Sequence, residues 1–369
     1  MHATLEKLLK MKILQRYVLK ELLLPCLLCF TVLSFIFMAG YLVKAADMII
    51  GRGVPFAQTL YVMLLIIPSI VSYTAPMSLL TGVLIVFGSF SQHNEFRAMK
   101  ASGVHPLRFM MPPLILGFAL SILMFVFNDQ VGPPARYELR RATKRMIMQH
   151  PMALIEPGRF VRISPGILFL AKRVEGNEMK DIVAHEGVDS ENPVRTIVAE
   201  SGKIMMDSGT GQLEVQLFNG SVSESQNKGI QSVQFKTYKF PTMNENDIRN
   251  MGKKKKDMTL AEILVDVSEK TGKKERRDLW TVFHQRIAFA FGSLMFVFIG
   301  IPIATIVKRG EVVISFGISM AATSVYYILF AIAQTLASRG VLPPMISLWL
   351  PNILLIGVGM ILLRKAVLS

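Results

Sequence analysis

The sequence has almost no cysteine, no phosphate-binding loop, no clustered histidines, and long stretches without any charge. Two cysteines occur in 369 residues, Cys26 and Cys29, one helical turn apart inside an uncharged run. Thiols placed there are away from aqueous redox partners, so packing or lipid contact is their expected role, and the polar part of the chain must fold without disulfides. Nothing matches the G-x-x-x-x-G-K-S/T phosphate loop, since Gly252-Lys253 and Gly272-Lys273 lack both the first glycine and the hydroxyl residue. The chain is therefore not expected to hydrolyse ATP itself. His2, His93, His105, His150, His185 and His284 fall in no metal-binding pairing, and no nucleophile elbow occurs. Outside residues 129–283 the only acids are Glu6, Glu21, Asp47, Glu95 and Glu311, too scattered for the carboxylate cluster of an integral-membrane transferase. Neither an enzyme nor a metal site is expected.

What the chain does have is six charge-free apolar runs: Leu22 to Val43, Gly53 to Asn94, Phe109 to Asn128, Ile287 to Val307, Val312 to Ser338 and Gly340 to Leu363. A helix that crosses hydrocarbon needs about 20 apolar residues, because its backbone groups must pair internally. Each run suffices for one crossing. The second is long enough for two, but Pro68, Ser69, Ser72, Thr74, Pro76 and Thr81 interrupt it without a polar turn, so it reads as one kinked helix. The expected architecture is a polytopic α-helical membrane protein with three plus three spans. Its N-terminal half covers 1–128, a polar insert 129–283, and its C-terminal half 284–369.

Positive residues in short loops stay in the cytoplasm. With the N-terminus inside, Lys7, Lys10, Lys12, Arg16, Lys20, Arg97, Lys100, Arg108, Lys308, Arg309, Arg364 and Lys365 all lie inside, against Lys44, Arg52 and Arg339 on the outer flanks. The insert then lies outside. The net charge of +15 needs no nucleic acid, because residues 129–283 carry 25 basic and 21 acidic residues and most of the remaining excess is the inner flanks. No cleavable signal peptide is expected.

From Phe160 the pattern changes to short alternating segments parted by turn residues, which predicts antiparallel strands. Eight are expected: Phe160 to Ile163, Ile167 to Val174, Met179 to Glu186, Arg195 to Glu200, Lys203 to Asp207, Gln212 to Leu217, Ser221 to Ser225 and Gln231 to Phe240. That number fits a sandwich or jellyroll. A basic helix over 134–150 leads in. A linker from Asn244 to Asp278 leads out, with the run Lys253 to Lys256, either solvated or facing anionic lipid heads, and a helix near Leu260 to Lys270.

The strongest local signal lies between the second and third runs, from Ser91 to Pro106. Asn94 can cap a helix with Glu95 in its first turn, and Gly103 with Pro106 stops it, giving about two turns over 94–103. It reads as a solvated connector or as a coupling helix docking into a cytoplasmic partner. Here Asn94-Glu95 followed by Ala98-Met99-Lys100-Ala101-Ser102-Gly103 resembles the NE-x-x-A-x-x-A-x-G segment of the lipopolysaccharide export permeases of the LptF and LptG type. The resemblance extends over nearly the whole chain. Ile13 to Leu22, Arg286 with Pro302, and Lys308-Arg309-Gly310 look closer to the F-type subunit.

The resemblance implies a permease subunit that pairs with a G-type sister, in a bacterial inner membrane with both termini cytoplasmic and the insert periplasmic. A separate LptB-type ATPase dimer would bind ATP and magnesium, and the glycolipid would pass to a periplasmic jellyroll bridge of the LptC/LptA type. Asn94, Glu95, Phe96, Arg97, Met99 and Gly103 would form the ATPase-coupling element, with Glu95 meeting a basic groove residue and Phe96 and Met99 supplying apolar contact. Lys44 matches a basic family position at the outer rim; Arg52 and Arg286 are further candidates for binding the lipid's phosphates. Two other classes fit less well. A lipoprotein-release or mechanotransmission permease usually has four spans with its domain after the first. A receptor or scaffold with a β sensor domain gives no reason for the capped helix.

Overall fold

The computed structural model describes the chain except residues 1–12, 52, 104–105, 151–154, 156, 165, 176–177, 188–194, 207–211, 227–228, 271, 308–309 and 366–369. Arg52, Lys308, Arg309 and the first three basic residues of the inner flank thus lie outside the described residues. Among the described residues, six helices are long and apolar enough to span a membrane. They begin with α1 (Ile13–Ala46) and α2 (Phe56–Gln92), and Pro68 and Pro76 lie inside the single continuous α2. A short helix α3 (Glu95–Ala101) precedes α4 (Pro106–Gln130), which is followed directly by α5 (Gly132–Gln149). After the strands come α6 (Glu245–Arg249) and α7 (Leu260–Glu269), and then the spans α8 (Lys273–Val307), α9 (Val312–Arg339) and α10 (Pro344–Leu363).

The chain divides into two compact units, one of 1–40, 66–137 and 253–369, the other of 41–65 and 138–252. In the first, polar side chains pair inside the apolar helix bundle, where water cannot satisfy them. Thr81 Oγ1 donates to Ser319 Oγ at 2.8 Å, joining α2 to α9. Tyr326 hydroxyl donates to Asn352 Oδ1 at 3.0 Å while Asn352 Nδ2 donates to the Ala288 carbonyl at 2.8 Å, locking α9, α10 and α8 together. Cys26 packs directly over Gly82, so close that a Cβ there would lie 2.3 Å from its sulfur. The absence of a side chain at Gly82 is what lets α1 and α2 approach there.

The second unit holds an antiparallel sheet of six strands in sequential order: β1 (Val161–Ser164), β2 (Ile167–Glu175), β3 (Glu178–Glu186), β4 (Arg195–Met206), β5 (Gln212–Gln226) and β6 (Gly229–Asn244). Six strands, not eight, arise because β4 and β5 each run through a point where the sequence breaks alternation. On each of the five strands β2 to β6 the core-facing side chains, buried or half-buried, step once by an odd number: Ala171 to Val174, Met179 to Ile182, Ala199 to Ile204, Leu217 to Val222, and Phe235 to Tyr238. Regular strands would require even steps.

The register explains the odd step. Lys172, Asp181, Glu200, Asn219 and Lys236 stand opposite one another across five strands, and the pairing skips that row on every ladder while continuing in the same register on both sides. Asp181 and Asn219 have φ of 53° and 49°, the left-handed region in which Asp and Asn are the least strained side chains. The row is a crease along which all five strands exchange faces, and a cavity of about 750 Å³ opens along it. Phe218-Asn219-Gly220, which reads as a turn, is this crease crossing β5. Gly220 is required there because a Cβ would come within 2.2 Å of the Val198 carbonyl and 2.6 Å of the Phe235 ring.

Candidate functional site

Helix α3 sits between α2 and α4 and is too short to be stable alone, so its position depends on anchoring. Asn94 has φ 58°, a left-handed conformation that ends α2 as a C-terminal αL residue. Its carbonyl then accepts the first bond of α3 from Ala98 N at 3.0 Å. The expected side-chain cap is therefore replaced by a backbone corner. Gly103, at φ 75°, closes the other end as the sequence suggests.

Phe96 anchors the helix. It is only 8% exposed and lies edge-on to Phe109 at 4.3 Å and to Phe87 at 6.4 Å, on the flanking membrane helices. Met99 packs against the same cluster. The pair expected to offer apolar contact to a partner instead faces the chain's own core, because that surface is what holds a two-turn helix in place. Glu95 is half-buried and accepts from the Tyr17 hydroxyl at 3.4 Å, and Tyr17 stacks on Phe90 at 5.7 Å. Arg97, Ala98 and Ala101 are exposed. The loop after α8 also reaches this corner, since Gly310 N donates to Gln92 Oε1 at 3.2 Å and Ser91 Oγ to the Thr305 carbonyl at 3.3 Å. One carboxylate, one guanidinium and two small residues are thus presented on a rigidly seated knob.

Of the three expected rim cations, Lys44 is exposed in the last turn of α1, and Arg52 lies outside the described residues. Arg286 is not a free rim cation. It is 6% exposed, with Nη1 donating to Asp129 Oδ1 at 3.0 Å and Nη2 to the carbonyls of Lys256, at 3.2 Å, and Met258. Asp129 Oδ1 also accepts from Leu260 N at 2.7 Å, and its Oδ2 from Gln130 Nε2 at 3.1 Å. A buried charge needs such a full complement of partners. The pair ties the 256–260 segment to α4 and α8.

Beside it lies a cavity of about 280 Å³ lined by Arg136, Lys256, Arg286, Tyr73 and Gln285 among others. Sequence reading missed Asp129, Arg136 and Lys256. One signal was available: Asp129 directly follows the third apolar run and Arg286 directly precedes the fourth, two lone opposite charges at the boundaries of spans.

Residues 16–365 match the family model described as lipopolysaccharide export system permease LptF/LptG. No curated protein matches the chain.

Proposed function

Because the chain belongs to the lipopolysaccharide export system permease family LptF/LptG, we propose that it is the F-type permease of an ATP-driven exporter, paired with a G-type sister. A cytoplasmic ATPase dimer binds ATP and magnesium, and its closure drives the glycolipid from the inner membrane towards a periplasmic jellyroll bridge. In this reading both termini are cytoplasmic and the β unit is periplasmic, an orientation that the bias of the flanking cations supports.

The observation that carries this reading is the seating of α3. A helix of 7 residues, pinned by Phe96 beneath and leaving Arg97 exposed, is built to receive force from outside the chain and pass it to α2 and α4. Glu95 supplies a carboxylate for a basic groove residue of the ATPase, with Asn94 and Gly103 fixing the corners. Met99 backs the helix from its inner side. Lys44 supplies a cation for the lipid's phosphates, and Arg136 and Lys256 add charge at the cavity beside Arg286.

The test is affinity purification of the tagged full chain in mild detergent, wild type beside Glu95→Ala, with identification of co-purifying proteins and an ATP hydrolysis assay. A soluble ATPase and a sister permease should accompany the wild type, and the ATPase should be lost from the variant. Recovery of neither with the wild type would overturn the exporter reading.

A further inference from the structure

At the head of α8, Lys273, Arg276, Arg277, Trp280 and His284 follow at intervals of three, one, three and four residues, so they share one face of the helix. They form one wall of an open groove of about 390 Å³, and Pro343, Pro344 and Met345 at the start of α10 form the other. The back of the groove is fixed. Arg277 Nη2 donates to the Ser338 carbonyl at 2.8 Å. Its guanidinium packs on Gly340, which has φ 79° and where a Cβ would fall 2.1 Å from Nη1. Trp280 stacks on His284 at 5.7 Å and meets Phe283 edge-on at 5.2 Å.

Lys273 and Arg276 are exposed and, among the described residues, have no carboxylate partner. Of the acids nearby, Glu262 pairs with Lys253, Asp278 with Lys255 at 2.8 Å, and Asp266 and Glu275 with Lys270, while Glu269 at the end of α7 is in no ion pair with either cation among the described residues. Two unneutralised cations therefore meet an interfacial tryptophan where a span emerges, the level at which lipid head groups lie. Below them α10 is apolar and open, with Met345 65%, Ile346 56% and Ile353 62% exposed. A ligand suited to this surface carries one negative charge at its head and apolar chains running along the spans. A free phosphate would leave the lower surface without a partner.

We propose that this groove binds the phosphodiester head of an anionic glycerophospholipid, held as a resident lipid beside α8 and α10 and distinct from the exported glycolipid. Lys273 and Arg276 contact the phosphate, Trp280 covers the glycerol region, and Met345 and the face of α10 below it receive an acyl chain. The site is independent of the export reading and stands whether or not the ATPase binds.

The test is native mass spectrometry of the full chain titrated with dioleoyl-phosphatidylglycerol or dioleoyl-phosphatidylcholine in detergent. The wild type should retain one phosphatidylglycerol in preference to phosphatidylcholine. Lys273→Gln with Arg276→Gln should weaken that binding roughly thirty-fold, given the contribution of each basic residue near a charged head group. Lys273→Arg with Arg276→Lys should preserve it. Met345→Trp, which keeps every cation but fills the groove, should weaken it as well. Equal phosphatidylglycerol affinity in the wild type and the Gln variant, or no preference over phosphatidylcholine, would overturn the proposal. So would loss of lipopolysaccharide binding in the Gln variant with phosphatidylglycerol unaffected, since the groove would then belong to the cargo.

Discussion

Arg286 and Asp129, 157 positions apart in sequence, meet at 3.0 Å in a buried pair that also holds the backbone amide of Leu260. Removing one member leaves the other charged and without compensation. Arg286→Met is therefore expected to destabilise the membrane unit by about 3–5 kcal/mol, read as a lowered thermal midpoint in detergent. Adding Asp129→Leu should recover much of the loss, and failure to recover any would show that the carbonyl bonds to Lys256 and Met258 matter more than the charge pair.

Glu95 and Phe96 are neighbours with opposite duties, and their substitutions should separate. Phe96→Ala empties a packed aromatic site and is expected to cost about 3–5 kcal/mol, lowering thermal stability before any partner is added. Glu95→Ala should leave stability within about 0.5 kcal/mol, as for other partly exposed changes, while weakening ATPase recovery. Equal thermal midpoints for both variants would mean that α3 is not anchored through Phe96.

Gly220→Ala inserts a methyl against the Val198 carbonyl and the Phe235 ring. Neither can withdraw, because one is backbone and the other is packed against Tyr238 at 5.4 Å. A destabilisation of about 1–3 kcal/mol is expected for such overpacking, with faster proteolysis confined to 138–252. Unchanged proteolysis would argue that the sheet does not close at this point.

Glu262 caps the start of α7: its Oε2 accepts from Thr259 N at 2.9 Å, and its Oε1 meets Lys253. The Lys253 contact first, then the Thr259 bond, lower its pKa from the ordinary value of 4.5. A carboxylate with a depressed folded pKa contributes stability fully above its unfolded value and loses it as pH falls through the folded one. Hydrogen exchange of the first α7 amides should accelerate as pH falls below 4.5, after correction for intrinsic exchange, and Glu262→Gln should abolish that dependence. A pH response identical in the variant would assign it to another group.

The spans were legible because a membrane leaves its mark on composition: six uncharged runs became six helices, and the prolines of α2 did not divide it. Direction was not legible. In a helix as short as α3, Phe96 and Met99 define an apolar face, but only the neighbouring helices decide whether it turns inward. Asn94 suits both a cap and a left-handed corner, and the tight exit of α2 selected the corner. Arg286 drew notice for its charge, yet its partner lay across the whole β insert. β4 and β5 read as four strands because alternation breaks at the crease while the backbone pairing continues on both sides of it.

The crease across β2 to β6 changes what a registration error would mean. In an ordinary sheet, a slip of two residues restores the alternation of faces and can pass unnoticed by the core. Here each strand carries a single odd step, and the five steps must coincide. A slip of any length would set one strand's change of face against its neighbour's unbroken stretch, burying Lys172 or Glu200 and exposing Ile182 or Leu217. The row at Lys172, Asp181, Glu200, Asn219 and Lys236 thus works as an index mark, giving the sheet an absolute rather than a relative alignment.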